Sequence, residues 1–160
     1  MEELYLSRVL SATQIQHFLQ TVMLGLTAFA WDMLVGDEQP MEFDSSCPTH
    51  IFFEATESEV PHFPQHVAIY RTPRANEEAR ALWLGQQLSS QFDIAVLVPF
   101  THPEQPDDLY YDIVFMKGES YLADDSETEF GEPDAKPVRI VGSYYLPKAH
   151  FDSFGNLTSP

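Results

Sequence analysis

Apolar residues in this chain switch between a helical and a strand period, and the order of those switches limits the fold more than any other feature. Residues 4–10 form a short apolar run of strand type. Ser11 follows as an N-cap, with Gln14 three positions on as in a capping box. Leu10 and Ile15 sit where a hydrophobic staple joins. Ile15, Phe18, Leu19, Val22 and Met23 recur at helical spacing, and predict a helix that ends at Gly25 or runs on toward Trp31. After a polar loop over 36–48, residues 51–56 and 66–72 read as two antiparallel strands joined through Pro61 and Pro64. Asn76 predicts a second N-cap, and Glu77 and Glu78 suit the positive end of the helix that follows. Its buried stripe is Ala81, Leu84, Leu88 and Phe92, with Trp83 beside it and Gly85 allowing close packing on a sheet. Residues 94–98 form a continuous apolar run, expected as a central strand buried on both faces and stopped by Pro99.

Beyond a loop over 101–108, residues 109–116 and 119–123 flank Lys117-Gly118, a hairpin turn. Residues 124–137 are acidic and without period, and 138–146 read as a last strand. The expected fold is therefore α+β, a two-layer sandwich with both helices on one face of an antiparallel or mixed sheet. Its order is the ferredoxin-like βαββαβ with an added C-terminal hairpin and strand. Residues 1–147 are expected as one domain. Residues 148–160 are expected as a polar, frayed tail apart from Phe151 and Phe154.

With 160 residues and 44% hydrophobic side chains, the chain can bury a core of its own, which sets it apart from disordered acidic sequences. Its 25 Asp and Glu against 8 Lys and Arg give a net charge of -17. Such a field repels nucleic acid and anionic membranes and attracts basic proteins. The eight bases form no footprint for nucleic acid, since only Arg71, Arg74 and Arg80 cluster and Glu77 and Glu78 stand beside Arg80. Cys47 is the only cysteine, so no intrachain disulfide can form, which suits a reducing compartment. The start Met1-Glu2-Glu3 lacks the positive charge of a signal peptide, and Gln16, His17, Gln20 and Asp32 interrupt the most apolar stretch. The expected location is the cytoplasm.

Catalytic and cofactor motifs find little support. None of the seven glycines is spaced as a dinucleotide-binding or P-loop motif requires. Cys47, His50, His62 and His66 lie close in sequence, but a second cysteine is missing and Pro64 keeps His62 and His66 off one helix face. The run from Asp124 carries many oxygens, yet Glu129 stands where a calcium loop needs glycine. Cys47 with His50 would make a thiol–imidazole pair, but Glu42 and Asp44 oppose a lowered thiol pKa. No cofactor, metal or enzymatic activity is expected.

One region combines charge with rings. Over 104–134 there are 11 acids and one base, Lys117. Carboxylates steer a basic partner and rings anchor it. The candidate partner-binding residues are Tyr110, Tyr111, Asp112, Glu119, Tyr121, Asp124, Asp125, Glu127, Glu129, Phe130, Glu132 and Asp134. Strand alternation predicts that some of these face the core instead.

A small acidic domain that opens on strand and helix (Leu4-Tyr5-Leu6-Ser7-Arg8-Val9-Leu10-Ser11-Ala12-Thr13-Gln14-Ile15) and carries no catalytic motif resembles the immunity proteins of bacterial toxin–immunity systems. The resemblance implies an inhibitor that covers the active site of a cognate toxin acting in the cytosol. A DNA mimic that inhibits a nucleic-acid-binding enzyme, a small enzyme using carboxylates or a metal, and an assembly subunit are the alternatives.

Overall fold

The computed structural model describes residues 1–31, 42–71, 75–132 and 135–159. Among these, strand β1 (Glu2–Leu6) leads into helix α1 (Ala12–Val22), then β2 (Thr27–Ala30), β3 (His50–Glu57) and β4 (Gln65–Tyr70). Helix α2 (Glu77–Phe92) follows, then β5 (Ala95–Pro99), β6 (Tyr111–Met116), β7 (Glu119–Asp124), β8 (Arg139–Ser143), β9 (His150–Phe151) and β10 (Leu157–Ser159). Eight strands form one sheet in the order β2-β3-β4-β1-β5-β6-β7-β8, and β9 and β10 pair separately. Neighbours in the large sheet are antiparallel except β2 and β3, which run parallel.

The local signals act as their chemistry requires. Gln14 N–H donates to Ser11 Oγ at 3.1 Å and Ser11 N–H to Gln14 Oε1 at 2.9 Å, a complete capping box. Lys117 and Gly118 both adopt positive φ, 53° and 80°, the backbone of a tight hairpin turn between β6 and β7. A Cβ on Gly85 would lie 2.7 Å from Val98 Cγ2, so glycine lets α2 approach β5 closely.

Both helices cover one face. Ile15, Phe18 and Leu19 of α1 and Ala81, Leu84 and Leu88 of α2 share a core with Leu4, Leu6, Val96, Val98, Ile113 and Phe115 of the sheet. The opposite face buries a smaller cluster of Leu97, Val114, Ala123 and Phe63. Residues 125–132 cross this second face: Asp125 N–H meets Tyr110 O at 2.9 Å at one end of the strands, and Gly131 N–H meets Glu59 O at 3.0 Å in the β3–β4 connection at the other. The alternation of β5 between two clusters bears out a strand buried on both sides.

Several features depart from the sequence reading. The sheet has more strands than expected. Residues 27–30 form β2, not a continuation of α1. Gln20 Oε1 takes Ala28 N–H and Gln16 Nε2 donates to Ala28 O, so helix side chains fasten the edge strand. Asn76 lies in the left-handed region with φ 57° and makes no side-chain cap bond; α2 starts without that device. The strand expected over 138–146 is β8, which ends at Ser143, three residues short of Leu146. The tail is not frayed: Ser153 O accepts Gly25 N–H at 2.8 Å, and Gly155 O accepts Arg80 Nη1 at 3.0 Å. Phe151 stacks on Trp83 with ring centroids 4.7 Å apart. No helix among the described residues is long and apolar enough to cross a membrane.

Candidate functional site

Antiparallel order gathers the termini of distant segments at one end of the sheet. The N-terminus of β1, the first turn of α2, the β5–β6 connection and the β7–β8 connection all meet there. A cleft of about 300 Å³ opens between them, lined by the acidic residues Glu3, Glu77, Glu78 and Asp108 with Leu109, Phe100 and Tyr111. Each carboxylate already has a partner. Glu77 meets the Met1 ammonium at 2.8 Å, Glu3 meets His66 Nε2 at 3.3 Å, Glu78 accepts Thr101 N–H and Asp108 accepts Tyr110 N–H at 3.0 Å. A carboxylate offers about four acceptor positions, so Glu78 and Asp108, each with one backbone N–H bond, retain capacity for a further donor. Above the cleft stand Leu109, 87% exposed, and Tyr110, 55% exposed.

Phe100 also lines a larger groove of about 950 Å³ along α2. Its walls include Leu82, Trp83, Tyr144, Tyr145 and Leu146. The second wall is held in place by β7: Tyr144 N–H donates to Ser120 O at 3.0 Å and Ser120 Oγ to Tyr144 O at 2.6 Å. Gln86 Nε2 donates to Gly118 O, and Gly118 N–H to Ser89 Oγ, both at 3.0 Å, so the hairpin turn is clamped to the helix.

The candidate residues read from sequence are split by this arrangement. Tyr110, Asp124 and Asp125 come together at the acidic end, with Glu127 exposed in the turn that follows. Asp124 accepts Ser126 N–H at 2.8 Å and pairs with Arg139 at 3.4 Å, which holds its carboxyl below the usual range. Tyr111 is half-buried on the helix side, its hydroxyl bonded to Gln105. Glu119 is exposed at the opposite end of the β6–β7 hairpin, on the groove wall, and Tyr121 is half-buried. Glu129, Phe130 and Glu132 are exposed, but the crossing segment carries Gly131, between Phe130 and Glu132, to the β3–β4 connection, away from Tyr110. Asp134 lies outside the described residues.

Asp112 is not a surface residue. It is 5% exposed, on the face opposite the helices, and its Oδ2 has no hydrogen-bond partner. Burial first, and the neighbouring Asp125 carboxyl second, push its pKa up to about 8. Asp125 is raised as well, chiefly by burial. Two carboxyls in this position hold a proton between them at neutral pH. Such a pair is suited to acid–base work only where substrate reaches it, and neither cleft is lined by Asp112 or Asp125. Cys47 and His50 do not form a reactive pair either: His50 Nδ1 accepts Asp44 N–H at 3.0 Å, and the thiol lies 3.2 Å from Thr49 Oγ1.

Sequence reasoning missed Glu3, Glu77, Glu78 and Asp108 as neighbours, and missed the groove. The readable signal was the absence of acids over 79–92 and 135–151, the two stretches that supply most of the groove. No family model, curated protein or solved structure matches this chain.

Proposed function

We propose that this chain is a protein-binding inhibitor of the immunity type, acting in the cytoplasm on a more basic toxin domain by covering its active site. The observation that carries this reading is the pairing of exposed Leu109 and Tyr110 with a ring of carboxylates at one end of the sheet. Long-range attraction from a net charge of -17 speeds encounter, and the exposed leucine and ring supply an anchor that excludes water. The gripping surface is centred on Tyr110, Asp124, Asp125 and Glu127, with Asp108 beside them. We also read β3-β4-β1-β5 with the two helices as a ferredoxin-like unit to which the other strands are added; the strand order and antiparallel pairing support this.

The test is kinetic. With the partner captured from the native host and identified, the association rate should fall about tenfold or more as salt is raised, as steering requires. Replacing Leu109 and Tyr110 by alanine should speed dissociation by about tenfold or more, the size of a central anchor. An association rate indifferent to salt, or a complex indifferent to the double alanine variant, removes the proposal.

A further inference from the structure

The acidic cleft and the apolar groove are neighbours along α2. Phe100 lines both, and α2 runs under both: Glu77 and Glu78 of its first turn face the cleft, Ala79, Leu82 and Trp83 the groove. Charge changes along it, from the acidic residues Glu77, Glu78 and Asp108 at the mouth to groove walls that are mostly uncharged, with Glu119 and Lys148 the charged residues of that lining. Aromatic residues at the centre with charged residues at the rim is the composition of a recognition surface.

The outer wall has a second property. Residues 145–149 lie between Tyr144, tied to β7, and the β9–β10 pair. Among the described residues, none of their backbone N–H or C=O groups finds a hydrogen-bond partner. The donors of Tyr145, Leu146, Lys148 and Ala149 and five carbonyls therefore stand unpaired beside an apolar trough. That is the arrangement used when an extended peptide adds to a partner: backbone bonds to the wall supply affinity, and alternate side chains enter pockets.

We infer that the groove along α2 receives an extended segment of a protein partner. A Lys or Arg side chain sits beside Glu78 and Asp108 in the cleft, and apolar side chains fill the trough between Trp83 and Tyr144. The segment's backbone pairs with residues 145–149. Charge complementarity at the mouth fixes the direction of the segment, and the apolar side chains of the walls select an apolar remainder. The inference rests on the reading above that the ligand is a protein, and adds how part of it is seated.

A library of random eight-residue peptides displayed on phage, selected against the full chain, tests it. Enriched peptides should carry Lys or Arg at one end followed by aromatic or branched apolar residues at alternate positions. Their affinity should fall tenfold or more in Asp108→Lys, which reverses a charge at the mouth, and in Lys148→Pro, which removes one N–H from the wall. Lys148→Ala, which keeps that N–H, should change affinity by less than twofold. Thermal melting of each variant confirms that it folds. Failure to enrich any peptide, enrichment of acidic peptides, or equal binding to Lys148→Pro and Lys148→Ala each overturns the inference. A partner complex that survives Lys148→Pro but is lost when Leu109 and Tyr110 are both alanine also overturns it, while leaving the inhibitor reading intact. Loss of salt dependence would instead count against that reading.

Discussion

On the helix-covered face of the sheet, Arg80 and Glu2 are buried as an opposite-charge pair; on the other face, Asp112 and Asp125 bring two carboxyls together. Arg80 is 2% exposed, donates through Nε to Glu2, and through Nη1 to the carbonyls of Ala75 and Gly155 at 3.0 Å each. Its charge is offset by contacts from three separate parts of the chain. Among the described residues, the charges that act most strongly on Asp112 are negative, from Asp125 and Asp124. The difference shows that burial does not decide whether a group stays ionised. A partner of opposite sign preserves the charge, and a partner of the same sign forces a proton onto the pair.

Three substitutions probe this contrast. The largest effect is expected from Arg80→Ala, which strands Glu2 in the core and releases the tail; the loss should be about 3–5 kcal/mol in urea unfolding. Adding Glu2→Gln to it should recover part of that loss, because the stranded charge is gone.

Asp112→Asn should act in the opposite sense and through pH. The folded carboxyl keeps its proton up to about pH 8, whereas the unfolded one releases it near pH 4. Between those values the native state binds more protons than the unfolded state, so stability falls as pH rises across the window and levels off above it. A four-unit shift corresponds to roughly 5 kcal/mol if fully expressed; sharing of the proton with Asp125 reduces this to roughly 3 kcal/mol. Asp112→Asn removes the slope, so the variant should be the more stable protein at pH 9 and close to wild type at pH 4. Parallel urea midpoints in the two proteins would sink the idea.

The smallest effect compares the apolar clusters. Phe18→Ala on the helix side should cost about 4 kcal/mol, because Phe18 is fully enclosed between layers. Phe63→Ala should cost about 2 kcal/mol, because its cluster is small and closed only by connecting segments that can settle into the space. Equal losses would mean that the second face is packed as firmly as the first.

Much of the fold was legible because its signals are local. The Ser11 capping box and the Lys117-Gly118 turn depend on residues within four positions of one another, and the structure contains both. The 94–98 run announces burial on both faces by composition alone. Strand β2 was not legible: Thr27, Ala28, Phe29 and Ala30 read as well as helix, and only pairing with β3 and the glutamine bonds from α1 decide the matter. For the candidate site, alternation warned that some of its residues would turn inward without saying which. Asp112 does so onto a face whose cover, the 125–132 segment, has no periodic pattern to announce it.

By itself, then, the sequence determined the elements that close over three or four residues, the α+β class and the strongly negative charge, since each depends on neighbours along the chain or on composition. Tertiary structure alone decided which charges are buried, which carboxylates share a cleft, and that the tail docks. Those depend on contacts such as Arg80 with Glu2, 78 positions apart, or Arg80 with Gly155, 75 apart. Burial and electrostatic environment are properties of what surrounds a side chain in space, and at such separations the chain carries no local signal of its neighbours.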